Sequence, residues 1–322
     1  MWDVSIAAAG ALILRTFPFM LLRAAVYLGI AAAFVVAAGG GAGIGWGIGA
    51  LAGTHGRVPG AFWGAIGGLA FIGCMLWWLR EYLLYLVEAS HAAAMAIAID
   101  GTQPPPGLSR IPAAMTAVQR RFPDVGVLFS AERLVQGTIS RLVAVLDTLD
   151  SMLPAGISVP RNLSDAIFPK ALGFVGKVLL ARAVLGSARE PWPSLQDALV
   201  LLAQNHGILM RNAVFLAAGA LATSIAVFFF ALIPAAVLAQ AYPGGSGLIT
   251  ILLALVFAWA VKQALIEPVV VAAFLDLYTR VTQGQTAEPD WDTKLVEISE
   301  QFREIKARAT PPSRSTRRSF VV

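Results

Sequence analysis

Four long runs of uncharged, mostly apolar residues leave this chain few folds to choose from. They cover about Ala24–Ala52, Gly60–Trp78, Ala213–Leu238 and Leu248–Val261. A helix crosses about 30 Å of hydrocarbon with roughly 20 apolar residues, so each run reads as a membrane span, the last being short unless it continues past Lys262. A soluble domain could not hide this much: 57% of the 322 residues are apolar and 13% charged, with a mean hydropathy of +0.72. The expected fold class is an all-α integral membrane protein, with four transmembrane helices as two parallel repeated hairpin units plus cytoplasmic or interfacial amphipathic helices. Met1-Trp2-Asp3 supplies no basic segment of the signal-peptide kind, so the first span is expected to remain in the product. Cys74 is the single cysteine and falls in a predicted span, where a small buried hydrophobe is expected.

The units are read from an internal likeness. Leu21-Leu22-Arg23-Ala24-Ala25-Val26-Tyr27-Leu28 recurs as Leu209-Met210-Arg211-Asn212-Ala213-Val214-Phe215-Leu216, and each copy opens a long apolar run. Each is preceded by an amphipathic lead-in (Val4–Met20, Ser194–Met210) and followed, after two spans, by an extension (Arg80–Asp100, Ala264–Val281). Both extensions end in a glycine and then a proline, Gly101 with Pro104 to Pro106 and Gly284 with Pro289, which stop a helix. Two spans per unit give the copies one orientation, related by an axis along the membrane normal. An extension that itself crossed the bilayer would invert them. Glu88, His91, Glu267, Asp276 and Arg280 argue against a crossing, since charge at bilayer depth is costly.

Of 24 Lys and Arg residues, only Arg57 lies in the turns Gly53–Pro59 and Ala241–Gly247. The positive-inside rule then places both termini and the middle region in the cytoplasm of a bacterial inner membrane. The basic excess suits anionic lipid headgroups, and no aromatic-interleaved basic patch calls for nucleic acid. The chain divides into a first membrane unit (1–106), a central amphipathic region (107–191), a second membrane unit (192–289), an amphipathic C-terminal helix (290–309) and a basic tail without apolar periodicity (310–322), expected to be disordered.

In the central region Leu128, Val135, Ile139, Leu142, Leu146, Leu149 and Met152 keep helical spacing, predicting one helix that ends near Pro154. A second is predicted over about Pro169–Leu185, with Lys170, Lys177 and Arg182 set among apolar residues. Near the C-terminus Trp291, Leu295, Ile298, Phe302 and Ile305 step by four, three, four and three, a short heptad seam on a single predicted helix. It docks on the chain's own central helices, or on a second copy or a partner protein.

Candidate functional residues fall in two groups. Gly39, Gly43 and Gly47 form a four-residue ladder, Gly41, Gly45 and Gly49 another, and Gly60, Gly64 and Gly68 a third on the next span. Small residues at this spacing let backbones approach, so a tight hairpin is expected, the alternative being a broken helix that offers carbonyls to a substrate. The second group is Glu81, Glu88 and Glu267, an anionic vestibule for a cationic substrate, with Trp77, Trp78 and Trp259 supplying cation–π contacts of about 0.5–2 kcal/mol each. Helix-end anchoring and snorkelling explain the same residues more plainly. Asp276 and Arg280, four apart, can pair on one face. Lys262 and Glu267, five apart, do not share a face of an α-helix. Glu88 and His91 do, and form a packed, a solvated or a proton-carrying pair. No His-x-x-x-His pair, Gly-x-Ser-x-Gly elbow or Gly-Lys-Ser/Thr phosphate loop occurs, so no enzymatic activity, metal or cofactor is expected.

Ser194-x-x-Asp197-Ala198-x-x-x-Leu202-x-x-Asn205 resembles the stretch that choline-transporter-like proteins carry ahead of a late span, and Phe274-Leu275-Asp276-Leu277 resembles that family's C-terminal end. The likeness covers roughly Pro193–Phe302. It implies movement of a quaternary amine or a related lipid precursor. The function expected from the sequence is therefore a transport or permeation pathway for a small cationic amine or lipid precursor, the alternative being a non-catalytic membrane scaffold that recruits partners through its cytoplasmic helices.

Overall fold

The computed structural model describes residues 3–79, 84–101, 110–122, 125–145, 161–185, 190–241 and 247–310. Among the described residues there are thirteen α-helices and no strand. The chain opens with α1 (Ile6–Arg15), α2 (Phe17–Ala50), α3 (Arg57–Leu79) and α4 (Tyr85–Ile99). A central group follows, α5 (Arg110–Arg121), α6 (Val125–Val145) and α7 (Arg161–Leu185). Next come α8 (Pro191–Gln204), α9 (His206–Gln240), α10 (Gly247–Val261), a π-helical turn (Lys262–Ile266) and α11 (Glu267–Thr282), then α12 (Pro289–Ile298) and α13 (Glu300–Ala309).

Four stretches are long and apolar enough to cross a membrane, Phe17–Ala50, Thr54–Trp77, His206–Gln240 and Gly247–Thr282, which makes this an all-α membrane protein. The last runs unbroken for 36 residues. At 1.5 Å per residue that is about 54 Å, well beyond a hydrocarbon layer of about 30 Å. Its far end, like the near ends of α2 and α9, stands in a second, polar-side bundle. The sequence boundaries fell short for this reason: α2 starts at Phe17 rather than near Ala24, because Arg23 is buried inside the fold instead of ending a span.

The membrane half has small residues inside and large ones outside. Ala42, Ala61, Ala65, Ala231, Ala235 and Ala254 are buried together, while Val36, Phe71, Phe229, Phe230 and Ile233 face outward. That is how helices associate when the solvent is lipid and close van der Waals contact replaces the hydrophobic effect. Cys74 is exposed on α3 rather than buried, as the wide faces of this bundle demand of most of its larger side chains. The polar-side half is packed in the ordinary way, with Leu179, Leu195, Leu199, Leu202, Phe274 and Tyr278 fully buried. Its centre is α7, which contacts α4, α6, α8, α9 and α11.

Two junctions share a geometry. Thr16 separates α1 from α2 at φ −108°, ψ 20°, and Asn205 separates α8 from α9 at φ −109°, ψ 19°. In each the polar side chain returns to its own helix, Thr16 Oγ1 donating to the Leu12 carbonyl at 3.0 Å and Asn205 Nδ2 to that of Leu201 at 2.9 Å. The chain leaves α4 through Gly101 at φ 76° and α11 through Gly284 at φ 74°, a left-handed backbone that glycine alone adopts freely.

Three sequence expectations change. The second central helix begins at Arg161 and runs through Pro169 instead of starting there. The first covers Val125–Val145, and Leu146, Leu149 and Met152 lie outside the described residues. The C-terminal seam is carried by two helices, not one: Ser299 is extended (φ −132°, ψ 116°), fully buried, and caps α13 by accepting from the Phe302 N–H at 3.2 Å. Leu295, Phe302 and Ile305 have no solvent exposure and belong to the main core.

Candidate functional site

Glycine decides how α2 and α3 meet. A Cβ added to Gly41 would lie 2.1 Å from the Gly64 carbonyl oxygen, and one on Gly45 2.0 Å from that of Gly60. Gly64 and Gly68 are equally closed, at 2.0 Å from the carbonyls of Gly41 and Ala37, and Gly60 at 2.3 Å from that of Gly45. The hairpin is therefore backbone against backbone. The contacting ladder on α2 is Gly41, Gly45 and Gly49, and the Gly39, Gly43, Gly47 ladder is not the contact face. A side chain at Gly43 or Gly47 would meet open space, because a shift of two residues rotates a helical position to the opposite side. α2 is unbroken along its length, so the broken-helix alternative has no place there.

The hairpin's polar-side end meets the end of the second hairpin at the π turn. There the Glu267 N–H donates to the carbonyl of Lys262, five residues back. In that register the Gln263 carbonyl needs the N–H of Pro268, and proline has none. Arg23 supplies the missing donors from across the bundle, giving Nε at 3.1 Å and Nη2 at 2.6 Å to the Gln263 oxygen. Arg23 is 3% exposed, so this bond satisfies a buried guanidinium and a buried carbonyl together. The same turn overturns the expectation that Lys262 and Glu267 point apart. Five residues complete a wider π turn, and Lys262 Nζ lies 3.9 Å from Glu267 Oε2.

Glu88 from α4 and Glu267 from α11 both bind Lys177 of α7. Lys177 Nζ donates to Glu88 Oε2 at 2.6 Å and to Glu267 Oε1. Glu88 also accepts from the Tyr27 hydroxyl and, at 3.4 Å, from Gln263 Nε2, with Arg23 Nη2 at 3.9 Å. Charges thus alternate from Arg23 through Glu88, Lys177 and Glu267 to Lys262. Burial alone would raise the Glu88 pKa, but the Lys177 ammonium and the Arg23 guanidinium outweigh it and hold the carboxyl down at about 2. Burial would likewise strip the proton from Lys177, and the two carboxylates reverse this, holding it above the ordinary lysine value. Glu88 and Lys177 are therefore both charged at physiological pH.

Above this junction lies a cavity of about 500 Å³, within the range of small-molecule sites. Glu88, Glu267, Trp77 and Trp259 all line it, so four of the six sequence-predicted vestibule residues converge. Glu81 and the Trp78 side chain lie outside the described residues. Tyr27 meets Trp259 edge-on at 5.4 Å. The far wall comes from the central region, with Glu132 and Gln136 of α6 and Lys170 and Lys177 of α7. Sequence reading assigned no site role to Arg23, Tyr27, Gln263, Lys170 or Lys177. The available signals were Glu267-Pro268, which starves a carbonyl of its donor, and lysines set in an apolar helix.

His91 does not pair with Glu88. Its Nε2 lies 3.2 Å from Thr16 Oγ1 and its ring stacks on Phe19 at 5.3 Å, and burial, aided by the charge of Arg23, holds the imidazole pKa down to about 3. Asp276 and Arg280 pair as expected, at 3.0 Å.

Comparison of the chain with protein-family models, with curated proteins and with solved structures gave no match in any of the three.

Proposed function

We propose that this membrane protein is a transport or permeation protein whose substrate, a small lipid precursor carrying an amine, occupies the cavity where the two hairpins meet α7. One observation carries the reading: carboxylates from the two membrane hairpins' extensions share a single lysine of the central region, beneath a cavity large enough for a solute. Breaking the two bonds to Lys177 would free α7 from both extensions and widen the cavity floor, the kind of change that passage requires. The likeness of the two halves supports an internal duplication, since the junctions at Thr16 and Asn205 and the exits at Gly101 and Gly284 match in backbone angle. The charge distribution supports a bacterial inner membrane with both termini cytoplasmic. No enzymatic step and no cofactor is part of the proposal. The scaffold alternative has less surface to offer, because three residues of its five-residue seam are fully buried.

Reconstituted vesicles test the proposal. Uptake of labelled choline and phosphocholine should exceed that of empty vesicles and fall at least several-fold in a Glu88→Gln/Glu267→Gln variant. Uptake no greater than in empty vesicles refutes transport of these solutes. On a Cys74→Ala background, cysteines placed at Arg57 and Gly284 should label from opposite sides.

A further inference from the structure

A second void adjoins the charged cavity. It holds about 370 Å³ and is walled on the membrane side by Phe34, Gly73, Leu76, Leu255 and Val256. Trp77, Leu84 and Trp259 line both voids, so the two meet at a shared collar of apolar side chains. Trp77 is 64% and Leu255 50% exposed on the face that the bilayer covers, which opens the groove to lipid rather than to water.

The charged cavity is not neutral all the way through. Lys177 is spent on Glu88 and Glu267. Lys262 donates to Gln263 Oε1 at 3.0 Å and stands 3.9 Å from Glu267, within reach of the repelling charges of Lys170 and Lys177. Lys170 makes no ion pair among the described residues. Glu132, which accepts from Gln136 at 3.1 Å, balances one of these lysines. Arg23, behind Glu88, leaves one positive charge in excess. Among the described residues, the part of the cavity beside Lys170 and Lys262 therefore suits one added negative charge, and the groove beside it suits a hydrocarbon chain.

We propose that the two voids form one site for an acidic bilayer phospholipid, its phosphodiester beside Lys170 and Lys262 and one acyl chain in the groove past Trp77, Leu84 and Trp259. This rests on reading the cavity as a binding site, but not on transport. A soluble phosphate would leave the groove empty, and a neutral diacylglycerol would leave the lysines without an anion.

The full chain, purified in detergent and stripped of lipid, is titrated with phosphatidylglycerol, diacylglycerol of the same chains, or glycerol phosphate, and complexes are counted by native mass spectrometry. Phosphatidylglycerol should bind tightest, the other two roughly tenfold or more weaker, the scale of one lost charge-assisted contact. Lys170→Gln should weaken the phospholipid by a similar factor of about ten, with Lys170→Arg restoring it. Gly73→Leu is the second arm. A Cβ at Gly73 meets nothing within 4 Å, so leucine fills the groove without disturbing the fold, which an unchanged melting temperature verifies. It should weaken phosphatidylglycerol and leave glycerol phosphate unaffected. Equal binding of diacylglycerol and phosphatidylglycerol, or of glycerol phosphate and phosphatidylglycerol, overturns the proposal, as does a neutral Gly73→Leu. Lipid binding without choline or phosphocholine uptake would refute only the transport reading, and uptake without lipid binding only this one.

Discussion

The two membrane hairpins are built on different principles. In α2 and α3 the contact is carbonyl against Cα, and almost every facing position is closed to a single added carbon. In α9 and α10 the contact is made by side chains, Ala231, Ala235 and Ala239 against Ile249, Leu253 and Ala254, and Pro234 sits inside α9. Proline removes one backbone hydrogen bond from that helix. The first hairpin is thus a single stiff rod, whereas the second has side chains that can repack, a proline and a π turn. Any relative movement belongs to the second.

The comparison breaks most readily at the glycines. Gly64→Val would drive a branched side chain into the Gly41 carbonyl, and we expect a loss of roughly 5 kcal/mol or of folded protein altogether, at the upper end for single substitutions. Gly43→Val, which meets open space, is the matched control, and thermal unfolding in detergent reads both. If the two melt alike, the backbone contact is not what holds the hairpin.

Next in size is the junction joining the halves. Lys177→Met strands Glu88 and Glu267 in a buried site and should cost about 3–5 kcal/mol. Adding Glu88→Gln and Glu267→Gln to it should recover most of that loss, since an absent ion pair costs less than a broken one.

Acid sensitivity should centre on α4, which holds the buried His91, and not on α11, which contains no histidine. The folded state keeps His91 neutral down to about pH 3, while the unfolded chain takes up its proton near 6.5. Its contribution is intact above pH 6.5 and falls away below, reaching a loss of about 2 kcal/mol by pH 5. Glu88 adds to this only below about pH 4.5. A His91→Gln variant whose melting temperature falls between pH 7.5 and 5 as steeply as the parent's would reassign the effect. The smallest change tests the second hairpin: Gly219→Ala in α9, where a Cβ is unopposed, should stabilise by about 1 kcal/mol or less.

The spans were legible because apolar length alone marks them, and Glu88 and Glu267 stood out as charges in apolar helices. What brings those two together was not legible. Lys177 comes from a part of the chain that periodicity assigns to a separate region. Lys262 and Glu267 meet only through a π turn, which no α-helical spacing rule anticipates. Arg23 showed only as a charge at the opening of the first apolar run, since nothing near it in sequence tells that its acceptor is a carbonyl on the other hairpin. The glycine ladders were visible on α2, but which of the two faces α3 depends on helix rotation, and that is set by packing.

The bond from Arg23 to Gln263 also constrains the order of assembly. Its donor emerges from the ribosome 240 residues before its acceptor, and a guanidinium buried without an acceptor is costly. The polar-side end of α2 is therefore expected to stay undocked, with Arg23 in water, until the second hairpin delivers the carbonyl. In an Arg23→Lys variant on the Cys74→Ala background, the lysine amine serves as the reporter. It should be open to a water-soluble, amine-reactive label in chains ending before residue 247 and closed in the full chain, and equal labelling would show that the hairpin seats itself unaided. The docking of the first half would then be completed by the synthesis of the second.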